Sequence, residues 1–232
     1  MARLALSLRE IGPHIGMVSH DDLGPLPLRY RTIRRLVQLA AGLTAYGVSI
    51  ALLVESALGN MPWDVFHQGV ARVTGLSLGT VIIVVGGLVL LLWWPLRQRP
   101  GIGTVSNVVV VGVATDLGMA VLPTPSHLAV RVGYLAAGIL LCAVATGLYI
   151  GARLGPGPRD GLMTGLAARG LSIRLARTGI EIAVVLVGFL LGGRLGLGTI
   201  AYALSIGPLV HITLPYLTVP SPQRSTASTH PE

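Results

Sequence analysis

Leu58-Gly59-Asn60-Met61-Pro62-Trp63-Asp64 reappears 96 residues later as Leu154-Gly155-Pro156-Gly157-Pro158-Arg159-Asp160. Leucine, glycine, proline and aspartate keep their places. Gly69 then meets Gly165, and Ala71 meets Ala167. After a one-residue gap the offset is 95: Leu76-Ser77 meets Leu171-Ser172, Gly101-Ile102-Gly103-Thr104 meets Gly196-Leu197-Gly198-Thr199, and Gly112 meets Gly207. Isolated matches among apolar residues carry little weight. The same punctuation in the same order is what a duplicated unit leaves behind.

Around these strings lie six apolar segments, at about 36–57, 78–96, 104–122, 129–150, 175–191 and 199–217. Segments 78–96, 132–150 and 200–217 contain no Asp, Glu, Lys or Arg. About 18–20 such residues, rising about 1.5 Å each, cross a hydrocarbon core. None of the six alternates with a period of two, so a β-barrel is not expected. The chain has 232 residues, 52% hydrophobic and 11% charged, against about a quarter charged in soluble domains. Mean hydropathy is +0.74. This excludes an ordinary soluble enzyme, a nucleic-acid module and a disulfide scaffold. The single cysteine, Cys142, lies in an apolar segment and has no partner for an intramolecular bridge.

Three spans per copy is an odd number, so the second copy must enter the bilayer from the opposite face. The expected fold is an all-α membrane protein of six transmembrane helices arranged as two inverted three-helix repeats. Each repeat carries a short re-entrant or interfacial helix after its first span. The expected organisation is a flexible cytoplasmic tail at 1–34, membrane repeats at 35–122 and 123–217, and a disordered cytoplasmic tail at 218–232. All 17 basic residues are arginine, and the formal net charge is +8. With the N-terminus inside, fourteen arginines fall at or within the cytoplasmic boundary, leaving Arg72, Arg131 and Arg194 outside. The expected location is the bacterial cytoplasmic (inner) membrane, multi-pass, with both termini cytoplasmic.

The chemistry concentrates in the repeated strings. Each sets Pro and Asp ahead of a short helical pattern: Phe66, Val70 and Val73 in the first copy, Leu162, Leu166 and Ala167 in the second. Two readings stand. Asp64 and Asp160 cap short interfacial helices, or these are re-entrant helices whose N-terminal N–H groups face a polar solute. On the second reading Pro62, Trp63, Asp64, His67, Pro158, Arg159 and Asp160 form a substrate site. Asp116 and His211 occupy matching positions 12 residues past Thr104 and Thr199, which are read as helix caps, and are candidates for coupling or gating. Glu55 is expected near water at the end of its span, and Arg177 and Glu181, four apart, as a local ion pair. The Gly-x-Gly-Thr strings lack the context of a phosphate loop. No metal cluster or catalytic motif is present, so no catalytic residue, metal or cofactor is expected.

The strings LGNMPWDVFHQGVARVTGLSLGT and GARLGPGPRDGLMTGLAARGLS resemble the YczE/YyaS/YitT family of bacterial integral membrane proteins. The resemblance covers about residues 36–217. It implies a polytopic inner-membrane protein and transport, with no substrate specified. The functional expectation is a small secondary-transporter-like carrier of an unknown small solute, not an enzyme, with its site between the repeats. The alternative is a non-catalytic membrane subunit or scaffold, similar to a transporter S-component or an accessory of a membrane-associated biosynthetic complex. The expected partners are the lipid bilayer, the solute, and a second copy or a membrane-complex subunit. Nucleic acid is not among them.

Overall fold

The computed structural model describes residues 26–27 and 29–220. Both expected tails fall largely outside these residues. Among the described residues the chain forms eight helices: α1 (Thr32–Ser56), α2 (Pro62–Thr74), α3 (Leu78–Trp93), α4 (Ile102–Val121), α5 (Leu128–Gly151), α6 (Pro158–Ala167), α7 (Ile173–Leu190) and α8 (Leu197–Leu217). The order long, short, long, long occurs twice. Four helices, α1, α4, α5 and α8, are long and apolar enough to cross a membrane. Counting α2 and α3, bent by 112° at their junction, as one broken span raises the number to five. Two of the six expected spans thus fall short of that test: α3 has 16 residues, and α7 carries Arg174, Arg177 and Glu181 among its 18.

α1 and α5 pack side by side and antiparallel at the centre, with α4 against α1 and α8 against α5. Small residues permit the approach. A Cβ on Gly42 would lie 2.8 Å from the Tyr149 backbone, and one on Gly47 2.5 Å from Ala114 Cβ. Two arginines tie the ends of the central pair. Arg35, buried at the start of α1, donates to the Ala152 and Arg153 carbonyls at the end of α5, at 2.8 and 2.9 Å. Arg131, at the start of α5, donates to the Ser56 and Ala57 carbonyls at the end of α1, at 2.8 and 2.7 Å. The last carbonyls of a helix have no partner within it, and a guanidinium satisfies two at once. Arg35 and Arg131 are themselves 96 apart, a repeat position that the sequence reading passed over.

The short helices cross to the other half of the chain. α2 lies on α7, and α6 lies on α3. The same crossing is built with residue sizes exchanged. In one, the Trp93 ring of α3 sits over Gly161 of α6, where a Cβ would lie 2.0 Å from it. In the other, Gly188 of α7 sits against the Val65–Phe66 backbone of α2, with 2.5 Å left for a Cβ. Gly161 and Val65 are matched positions, as are Trp93 and Gly188. Trp93 Nε1 also donates to the Pro158 carbonyl at 3.0 Å. The linkers are exchanged too. Gly103 N–H donates to the Leu154 carbonyl and Gly198 N–H to the Leu58 carbonyl, both at 2.9 Å. The glycines that follow, Gly59 and Gly155, have φ of +130° and +129°, a region that excludes side chains.

Candidate functional site

The repeated Pro-x-Asp strings begin α2 and α6, but their aspartates are not the caps. Met61 and Gly157 hold the N-cap positions, the prolines stand at the first helical position, and Asp64 and Asp160 at the third. Thr104 and Thr199 are likewise third residues. Each accepts the N–H of its N-cap glycine, Gly101 or Gly196, at 3.1 and 3.4 Å. They also reach the opposite copy: Thr104 Oγ1 donates to the Pro156 carbonyl at 2.7 Å, and Asn60 N–H donates to Thr199 Oγ1 at 3.1 Å. These bonds tie the start of α6 to α4 and the start of α2 to α8.

Both starts face a cavity of about 730 Å³. Pro62, Trp63, His67, Pro158, Arg159 and Asp160 line it, and so does His211. Asp64 stands behind them, fully buried. His67 Nδ1 lies 3.2 Å from Asp64 Oδ1, and the Arg159 guanidinium lies 3.7 Å from the same oxygen. Arg159 stacks over the Trp63 ring, 4.9 Å from its centroid. Asp64 Oδ2 and Trp63 Nε1 are buried without a hydrogen-bond partner. Asp160 presents its carboxylate to the cavity, and the Tyr149 hydroxyl donates to its Oδ2 at 3.1 Å. The two copies of one motif therefore differ: one aspartate is sealed with a histidine and an arginine, the other faces open space.

Asp116 and His211 part company. Asp116 accepts from the Ser77 hydroxyl at 2.6 Å and the Gly79 N–H at 2.7 Å, holding the start of α3 against α4. Gly79 and Gly112 meet there with 2.1 Å left for a Cβ on the former. At the matched place in the second copy Arg174 stands where Gly79 does, Gly207 meets nothing within 4 Å, and α7 and α8 scarcely touch. His211 lies on that looser side, at the cavity wall. Arg177 and Glu181 form the expected ion pair at 3.0 Å. Glu55 accepts from the Thr124 hydroxyl. Cys142 is buried and free. The sequence reading missed Tyr46, Tyr149, Tyr202 and Asn107, which also line the cavity. Their only signal was polarity within apolar segments.

The profile of a family of unknown function, DUF6198, matches residues 33–215. The chain belongs to this family. An uncharacterised protein of Haemophilus influenzae is 41% identical over 187 residues, covering 80% of this chain and 84% of its own length. The uncharacterised membrane protein YczE of Bacillus subtilis is 33% identical over 178 residues, covering 75% and 83%. The uncharacterised protein YyaS of the same organism is 24% identical over 181 residues, covering 75% and 89%. No solved structure matches. The likeness to YczE and YyaS that the repeated strings carried is thus met, and this DUF6198 member is a helical membrane protein.

Proposed function

We propose that this protein is a small secondary-transporter-like carrier whose solute site is the cavity between two inverted repeats. The observation that carries the reading is the convergence of two matched helix starts, α2 and α6, on that one cavity. Paired broken segments at corresponding positions of two halves are the usual place of a carrier's site. The exchanged contacts support the repeat: the Arg35 and Arg131 clamps, the Leu58 and Leu154 carbonyls, and the α2–α7 and α6–α3 crossings. In this proposal six segments span the inner membrane, α2 and α6 are re-entrant, and both termini are cytoplasmic. Pro62, Trp63, Asp64, His67, Pro158, Arg159 and Asp160 form the site, and no catalysis is assigned to it.

Asp116 and His211 then act as gating residues. The α3–α4 seam, latched by Asp116, is the shut side. The α7–α8 side, where Gly207 is open, is the side of entry. Exchanging the two arrangements moves access from one face to the other. Single cysteines at positions 100 and 195 test the topology. Impermeant reagents should label them from opposite faces of the membrane. Labelling of both from the same face ends the inverted-repeat reading and the carrier with it. In proteoliposomes, uptake that survives joint Asp64→Asn and Asp160→Asn replacement would remove those residues from the mechanism.

A further inference from the structure

The charges around the cavity do not cancel. Arg159 answers the buried Asp64 at 3.7 Å, and Arg177 answers Glu181 at 3.0 Å. That leaves Asp160, which has a hydroxyl donor in Tyr149 but no cation within ion-pair distance among the described residues. A lone carboxylate inside a membrane protein is costly unless a proton or a cation neutralises it. The surrounding wall suits an organic cation. Tyr149 meets Tyr46 edge to face at 6.0 Å beside the carboxylate, and Trp63 and Tyr202 also line the space. Aromatic faces attract ammonium groups. Ile82, Val85, Val89, Val108 and Ile206 add an apolar stretch of wall.

We infer that the cavity binds a small monovalent organic cation, an ammonium group on an apolar body, with Asp160 as its counter-ion. This rests on the reading of the cavity as the solute site. It adds the solute's class and a consequence. Asp160 holds a proton when the cavity is empty and releases it when the ammonium group arrives, one proton out for one cation in. Tyr149, Tyr46, Arg159, His67, Asn107, Arg177, Glu181 and His211 face the same space. Of these, His67 pairs with Asp64 and Arg177 with Glu181, and Asp160 is the cavity carboxylate without an ion-pair partner among the described residues, so the exchange runs through it.

The test is calorimetric titration of the full-length detergent-solubilised protein with three phenylalkyl probes of positive, negative and no charge: 2-phenylethylammonium, 3-phenylpropanoate and 3-phenylpropanol. Only the ammonium ion should bind. Its affinity should fall about tenfold per unit of pH below the Asp160 titration, as one-for-one competition requires. Titrations in two buffers of different ionisation enthalpy should show proton release. Asp160→Asn, eluting as the same monodisperse particle, should weaken binding at least tenfold, and Asp160→Glu should restore it. Preferred binding of the propanoate, no binding of any probe at millimolar concentration, or unchanged affinity in Asp160→Asn would each overturn the inference. Failure of transport in proteoliposomes with ammonium binding intact would instead count against the carrier reading and leave the ligand class standing.

Discussion

The guanidinium clamps offer the sharpest test of the exchanged architecture. Arg131→Met keeps the side-chain volume and removes the donors to the Ser56 and Ala57 carbonyls, leaving two carbonyls at the end of α1 unanswered. A hydrogen bond to a charged group contributes about 1.5–3 kcal/mol, and the two share one side chain, so the expected loss is about 2–4 kcal/mol. Arg35→Met should cost more. Arg35 is 1% exposed and also donates to the Pro27 and Tyr30 carbonyls, at 2.9 and 3.3 Å. Its expected loss is about 3–5 kcal/mol. At about 2–4 °C per kcal/mol, the Arg35 variant should melt at least ~6 °C lower. Lysine at either place should recover only part, because a point charge cannot serve two carbonyls in a fixed fork. Thermal unfolding of purified protein, followed by size-exclusion profile or tryptophan emission, reads the effect. Unchanged melting in both variants, or a larger loss at Arg131 than at Arg35, would refute the argument that these residues seal the ends of the central pair.

Gly161→Val should destabilise by about 1–3 kcal/mol by forcing a branched side chain into the Trp93 ring, and Trp93→Gly in the same chain should return part of that loss by copying the α2–α7 crossing. A melting series of the two single variants and the double variant checks it, and strict additivity would speak against the size exchange. Asp116→Ala should cost about 1–2 kcal/mol through its lost bonds to Ser77 and Gly79 at the start of α3. It should also raise thiol labelling of a cysteine put in place of Ile83, whose side chain lies against Gly112 in that seam, whereas a seam that stays protected would deny Asp116 the role of latch. Gly59→Ala and Gly155→Ala should each lower stability by about 1–3 kcal/mol, because both the φ and the neighbouring Thr199 or Thr104 forbid a Cβ. Equal melting of these variants and the parent would place the linkers elsewhere.

Much of this molecule is written locally. An apolar run of spanning length becomes a helix because unpaired backbone groups are intolerable in lipid, and α1, α4, α5 and α8 appear where the hydropathy puts them. Pro62 and Pro158 start short helices because a fixed φ and a missing N–H suit the first turn. The recurring strings are visible because the bends before α2 and α6 use the same glycine and proline positions. Those signals depend on neighbours along the chain. The fate of the paired residues does not. Asp64 and Asp160 share a motif, a helix position and a proline two residues before them. Yet Asp64 is sealed under Arg159 and His67, while Asp160 faces the cavity. Asp116 and His211 share a register, but only Asp116 finds the start of a neighbouring helix, because Gly79 lets α3 close on α4 and Arg174 stands at the corresponding place on α7. Sequence alone determined the long apolar helices, the two proline-led short helices and the places where the chain breaks. Which copy's residues cover which carboxylate was decided by side-chain volumes meeting across helices about a hundred positions apart, and packing of that kind leaves no periodicity to read.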